Sequence, residues 1–445
     1  MRITSITIRN FKGFAAKTVE LSDRLTVVIG NNTAGKTTLL KAIQVGLGAY
    51  LQCLKQLPGG ALYRRNFSKT DEYLRFDPVQ RDYLRNPDNP RIDVSAVFYI
   101  PNYGGELRFE EHPVRWYREY TGSGTTHTRA CCGALMDVVS EMEQKRAGLD
   151  AVGVFPLLLS FGAKRTPDAQ TKMTSKVKER VGRLEKAYRY CLHDRVDFDG
   201  AMDWLKNYDK GMRDHKNFEG NREAFFEALQ TAIPALSELD FDHGELEALV
   251  TVTGRDPERH HLSFMSDGLQ AMINMVSEMA HRCIELNGSL GHDAVKMTPG
   301  IVMIDEIDLY LHPHWQKHVL QDLMRAFPMI QFVVSTHSPF IVQSLEENQL
   351  ISFDNEVDTS GTPNMEGLED IAANRLGLSD DLGIRSEKYK RMEEAAARLF
   401  EAADSNAANK DELRSQLISL EAEFSRDPAY LAFVRTEMKA RGIEK

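Results

Sequence analysis

The sequence offers little for disulfide or zinc chemistry. Its five cysteines, Cys53, Cys131, Cys132, Cys191 and Cys283, include no C-x-x-C pair, so reduced thiols are expected rather than a disulfide framework or a zinc knuckle. No apolar run approaches the roughly 20 residues that a membrane-crossing helix needs. Met1-Arg-Ile-Thr starts directly as a strand, without a charged and then greasy leader, and a cytosolic protein with no membrane partner is the expectation. An excess of positive charge is lacking as well. With 55 Lys and Arg against 65 Asp and Glu, the net charge is −10, which disfavours non-specific coating of nucleic acid and confines any DNA contact to a local basic patch. No a/d heptad lasts the three or four repeats of a coiled coil. What is present is 445 residues with 42% hydrophobic content, enough for two or more cores or one large head with insertions.

Residues 26 to 46, TVVIGNNTAGKTTLLKAIQVG, read as an apolar strand, a Gly-bounded loop and a helix with Leu39, Leu40 and Ile43 at helical spacing. The loop Gly30-Asn31-Asn32-Thr33-Ala34-Gly35-Lys36-Thr37, followed by Thr38, fits G-x-x-x-x-G-K-[ST]. In that pattern backbone N–H groups and a helix N-terminus surround phosphate oxygens. Lys36 would reach the β- and γ-phosphates of ATP, and Thr37 would ligate Mg²⁺. Upstream, RITSITIRNFKGF and KTVELSDRLTVVIG read as a β-hairpin leading into the phosphate strand.

Ile301-Val302-Met303-Ile304 is a continuous apolar run of the kind buried on both faces of a parallel sheet, and it ends in Asp305-Glu306. Ligand crevices in open α/β sheets lie beyond the carboxyl ends of strands, so these acids fall beside the phosphate loop if the strands share a sheet. Asp305 would then hold Mg²⁺, and Glu306 would accept a proton from the water attacking the γ-phosphate. Some 30 residues on, QFVVSTHSP repeats the format and presents His337 as a hydrogen-bond donor to the γ-phosphate. His312, His314 and His318 cluster after the acids, with His314 and His318 at i, i+4 spacing, but a metal cluster there is the weaker reading.

These pieces, in this order, resemble the ABC-type ATPase heads of the SMC, RecF and OLD group. The resemblance extends to HLSFMSDGLQ, which stands where that group has its signature loop: Ser266 and Gly268 match, and Ser266 can cap the helix that follows. By resemblance, this loop binds the γ-phosphate held by a second subunit, and Asp308 lies in the loop that communicates across the head dimer. VFPLLLSFGAKRT, DEIDLYLHPHWQ and GLEDIAANRLGLSDDLGIRSEKY resemble segments of small prokaryotic anti-phage ATPases, the Septu ATPase subunit and its retron-linked relatives. No glutamine occupies the Q-loop position near Gly162 to Arg165, and Arg165 is the candidate for a phosphate or cross-site contact.

The resulting expectation is an α/β ABC-type head: a parallel core sheet plus an antiparallel β subdomain, a helical insertion and C-terminal helices. Residues 1–165 form the N-terminal lobe with the phosphate loop. Residues 166–255 are the helical insertion, which includes a basic helix over Lys172 to Tyr190; residues 256–355 are the C-terminal lobe, and 356–445 a helical region. About 230 residues separate Lys36 from Ser266, and within them IDVSAVFYI, GELRFE and VRWYREYTG read as an antiparallel extension of the first hairpin. The function implied is an ATPase using ATP and Mg²⁺ that dimerises, or forms a higher even oligomer, around nucleotide and gates a separate nuclease or toxin effector. Two alternatives stay open: a RecF- or SMC-like maintenance ATPase binding DNA directly, and a slow ATPase scaffold.

Overall fold

The strands that read as continuous apolar runs are the ones that end up covered on both faces. In the computed structural model, residues 1–103, 107–147, 153–163, 182–194, 198–242, 245–251, 256–354, 361–377, 387–404, 415–416, 418–419 and 428–441 are described. They form two compact units, Met1–Ile371 and Ala372–Lys445.

The first unit holds two principal sheets. Numbered in chain order, β1 is Arg2–Phe11, β2 Phe14–Glu20, β3 Leu25–Ile29, β4 Leu74–Asp77, β5 Asp82–Arg85, β6 Arg91–Tyr103, β7 Leu107–Glu119, β8 Leu157–Phe161, β9 Leu236–Asp242, β10 Glu245–Val250, β11 Glu258–His261, β12 Gly300–Ile304, β13 Ile330–Ser335 and β14 Leu350–Ser352. The core sheet has the order β14-β3-β13-β12-β8, and every pair in it is parallel. All five residues of β3, β8 and β12 and all six of β13 are buried. Each fully buried Val, Ile or Leu there contributes about 1.5–3 kcal/mol relative to exposure. The phosphate strand β3 and the acidic strand β12 do share a sheet, with β13 between them.

The second sheet is antiparallel, with order β2-β1-β6-β7, so the first hairpin is extended as the strand patterns indicate. Leu107–Glu110 of GELRFE and Val114–Glu119 of VRWYREYTG fall in one continuous strand, β7, paired with β6 along its whole length. Gln331 in β13 ties the sheets together: its Oε1 accepts from Ile3 N at 2.8 Å, and its Nε2 donates to Ile3 O at 2.8 Å and Ser22 O at 2.7 Å. The helix Lys36–Cys53 is fixed to the antiparallel sheet by Trp116 Nε1 on Gly46 O at 2.9 Å and by the fully buried Arg118 on Val45 O at 2.8 Å.

The segment 166–255 is not wholly helical. Short helices Arg183–Tyr188, Phe198–Lys206, Tyr208–Arg213 and Asn221–Ala232 are followed by β9 and β10, which join β11 in a three-stranded antiparallel sheet. ELEALV alternates exposed and buried positions, a period-2 pattern that decides for strand. Of the basic stretch Lys172–Tyr190, residues 172–181 lie outside the described residues, and helix is present over Arg183–Tyr188. Within the second unit, helices Glu387–Asp404 and Pro428–Ala440 bring Ala396, Phe400, Val434 and Met438 into one buried cluster.

Candidate functional site

The phosphate loop follows β3 and turns sharply into the helix Lys36–Cys53. Gly30 and Gly35 take φ +146° and +107°, the region that favours glycine. Thr33, at φ +76°, enters the same region despite its β-branch, a local strain of the sort found at binding loops. A Cβ at Gly35 would lie 2.4 Å from the ring of Phe14, at the tip of the first hairpin, so ring and loop are packed as one unit. Asn31, Asn32, Thr33 and Thr37 are exposed, Ala34 and Thr38 are half-buried, and Lys36 is buried. Lys36 Nζ donates to Gly30 O at 2.6 Å and Asn31 O at 3.1 Å. Burial pushes its ammonium pKa down, while the nearby charges of Asp354, Asp305, Glu306 and Asp308 oppose that shift.

Across β13 from the loop stand the acids. Thr37 Oγ1 donates to Asp305 Oδ2 at 2.9 Å and Oδ1 at 3.3 Å. These are two hard oxygen donors of the kind that magnesium takes, held side by side. Ser335, at the end of β13, fixes the acidic turn twice: its Oγ donates to Asp305 Oδ1 at 2.5 Å and accepts from Glu306 N at 2.8 Å. Glu306 adopts φ +50°, a left-handed turn immediately after the buried strand. Thr336 Oγ1 donates to Asp308 Oδ1 at 2.6 Å. Gln316 then closes the bracket, accepting from Ser338 Oγ at 2.6 Å and donating to Leu311 O at 2.9 Å. His337 is exposed on this rim.

Ser266 and Gly268 stand at the start of the helix Asp267–Asn287. Ser266 is exposed and sits at the N-cap with the extended backbone usual there, but its side chain makes no capping bond, which corrects the expectation that its hydroxyl caps the helix: the hydroxyl is left on the exposed face of the helix start. Gly268 is required by close approach, since a Cβ there would fall 2.2 Å from Tyr310 O. The helix start is thereby packed against the loop that carries Asp308. Farther along, Arg282 pairs with buried Glu278 at 2.8 Å and donates to Ala187 O and to Arg189 O, the latter at 3.0 Å, anchoring this helix to Arg183–Tyr188.

Residues that motif reading passed over are Ser335, Thr336, Gln316 and Asp354. The first three stand inside quoted motifs; Ser335 and Thr336 are signalled by polarity at the end of a buried strand, whereas Gln316 lies in the short helix Pro313–Gln316. Asp354, whose Oδ2 accepts from Asn31 N at 2.7 Å, follows β14 and gives no signal in sequence. Arg165 lies outside the described residues. At the end of β8, a Gln44–Ser160–Asp194 cluster occupies the neighbourhood where a Q-loop was sought: Asp194 Oδ1 accepts from Gln44 Nε2 and from Ser160 Oγ, each at 2.5 Å. The three histidines are used locally, His312 Nδ1 accepting from His314 N at 3.3 Å and the His314 and His318 rings lying 5.8 Å apart.

A loop shaped for phosphate beside a paired threonine and aspartate, with a glutamate next in sequence, can hold and hydrolyse a nucleoside triphosphate. The AAA ATPase domain family model matches residues 1–49. An AAA domain model, whose description also mentions the AbiEii toxin and a Type IV TA system, matches residues 178–343. The chain is an ATPase, similar to retron and Septu proteins. It is 22% identical over 411 residues to the retron Vc95 probable ATPase of Vibrio cholerae serotype O1 biovar El Tor, covering 80% of this chain and 74% of that one. It is 32% identical over 140 residues to the Septu protein PtuA of Bacillus mycoides (strain KBAB4), covering 29% and 19%. The fold is α/β, a parallel five-stranded core sheet beside an antiparallel four-stranded one. The SMC head domain from Thermotoga maritima aligns over 81% of this chain and 97% of its own, at 16% identity and a TM-score of 0.42. Among the described residues, no helix is long and apolar enough to cross a membrane.

Proposed function

We propose that this ATPase works as a paired switch in anti-phage defence. Two copies close around two ATP molecules, each held between the phosphate loop of one copy and the Ser266 helix start of the other. Hydrolysis reopens them, and the open and closed states gate a separate effector, a nuclease or toxin. The observation that carries the reading is the Thr37–Asp305 contact of 2.9 Å with Glu306 adjacent, combined with an exposed Ser266. The names of the retron and Septu relatives support the defence setting.

In this mechanism Lys36 exchanges the carbonyls of Gly30 and Asn31 for β- and γ-phosphate oxygens, while the loop N–H groups and the helix dipole supply the rest of the anion site. Thr37 and Asp305 would hold Mg²⁺, which when bound supplies positive charge to the phosphates. Glu306 takes a proton from the attacking water, and Ser335 keeps its turn in place. His337 donates to the γ-phosphate from the exposed rim, and Asp308, bonded to Thr336, reports the state of the site to the Ser266 helix through Tyr310 and Gly268.

Glu306→Gln tests the assignment. The variant is expected to keep ATP affinity, to lose hydrolysis by about 10²–10⁴-fold as removal of a general base does, and to accumulate as a dimer in ATP on light scattering. Hydrolysis at the parental rate would refute Glu306 as the base.

A further inference from the structure

Two contacts from β14 and the first hairpin bracket the phosphate loop at its two glycines. At the Gly35 end, the Phe14 ring packs so closely that a Cβ would sit 2.4 Å away. Phe14 is in turn held edge to face by Phe353, with centroids 5.6 Å apart, and Lys17 Nζ lies 5.1 Å from the Phe353 ring centre. At the other end, Phe353 N donates to Ile29 O at 3.0 Å, the parallel pairing of Ser352 with Ile29 continuing past the strand end. That register delivers the next residue, Asp354, to the loop, where its Oδ2 accepts from Asn31 N at 2.7 Å. Ser352 Oγ accepts from Asp354 N at 3.1 Å and so orients the aspartate's backbone.

A carboxylate beside a loop built to receive phosphates is electrostatically adverse, so its presence asks for a compensating role. The geometry supplies one. An N–H to carboxylate bond is charge-assisted and directional, and it fixes the first peptide of the loop, whose carbonyls at Gly30 and Asn31 are the ones Lys36 grips. We infer that Asp354 is a positioning residue for ATP: by holding Asn31 N from the neighbouring strand, it keeps the phosphate loop in its anion-binding shape. The inference rests on the reading of Gly30–Thr37 as the ATP site. It reaches beyond that reading, because the residue lies outside every motif in the chain and acts on the loop backbone from a neighbouring strand.

The acceptor and the charge can be separated. Asp354→Asn keeps a side-chain oxygen for Asn31 N and deletes the charge; Asp354→Ala deletes both. ATP affinity, measured by calorimetry on the full-length parent and both variants, is expected to weaken about tenfold in the alanine variant, which leaves Asn31 N without its acceptor. The asparagine variant should stay within about twofold of the parent. Amide hydrogen exchange without nucleotide, read at the peptide spanning residues 30–35, should speed up in the alanine variant and not in the asparagine variant. If the alanine variant binds and exchanges like the parent, or if asparagine loses as much as alanine, the positioning role is wrong. Failure of the parent itself to bind ATP would instead overturn the reading of the loop, which the hydrogen-exchange arm probes without nucleotide.

Discussion

The phosphate loop and the Ser266 helix start are both phosphate-binding motifs by sequence, yet they are finished to different degrees within one chain. The first is closed in cis: Lys36 is buried against its own loop, Thr37 touches Asp305, and Ser335 and Asp354 hold the two flanks. The second is open. Ser266 is exposed and its side chain caps nothing, although Gly268 directly behind it is tightly packed on Tyr310. Rigid behind and bare in front is the build of a surface that waits for a ligand held elsewhere, and it is why the proposed function needs two copies.

The largest effect should come from breaking the closed half. Lys36→Ala removes the ammonium that compensates phosphate charge, and ATPase activity is expected to fall by at least about 10²-fold together with ATP affinity, measured by phosphate release and equilibrium binding. Next comes Ser266→Arg on the open half. At an exposed position its folding stability should change by no more than about 0.5 kcal/mol, and its ATP affinity should match the parent at concentrations too low for pairing. Hydrolysis should nonetheless drop by about 10-fold or more, because the lost contact belongs to the closed state. Mixing the Lys36→Ala and Ser266→Arg proteins should then recover activity that neither has alone, through one intact composite site. Absence of recovery would show that both halves act within a single copy.

The smallest effect concerns what holds the open half rigid. In the helix behind Ser266, burial alone would raise the Glu285 carboxyl pKa, but His281 at 3.5 Å with Lys186 and Arg183 outweighs it and holds the pKa below the usual value. A carboxylate with a depressed folded pKa adds stability that is fully present above its unfolded pKa of about 4.3 and is lost as pH falls through the folded value. Thermal melts between neutral and acid pH should therefore show a steeper acid loss in the parent than in Glu285→Gln, with little difference in shape above pH 6.

Much of the closed half could be read from the chain. The strand–loop–helix around Lys36, the apolar run ending in Asp305 and Glu306, and the second run ending in His337 are local patterns, because covering a strand on both faces demands uninterrupted apolar residues. The antiparallel extension through β6 and β7 was legible for a different reason, the alternation of a sheet with one covered face. The insertion was less so. ELEALV and its neighbours mix charge with short apolar spacing over a few residues, and the pairing of β10 with β9 and β11 bears out the strand that its alternation favours. The pairing across sheets made by Gln331, the double grip of Ser335 on the acidic turn, and the approach of Asp354 to Asn31 were not legible at all. Each joins residues 29 to 328 positions apart.

By itself, the sequence determined the chemistry available to this protein: a phosphate loop, a paired aspartate and glutamate, and a helix start suited to an anion. Those depend on residue type at fixed short spacing, which the backbone translates directly into geometry. The tertiary structure decided which groups meet. Strand order put β13 between loop and acids so that Ser335 could serve the acidic turn, and the register of β14 on β3 brought Asp354 to Asn31. Packing of Gly268 on Tyr310 fixed the Ser266 helix start to the acidic loop while leaving Ser266 itself exposed. Contacts of that kind depend on how sheets and helices stack, and no spacing within a motif encodes them.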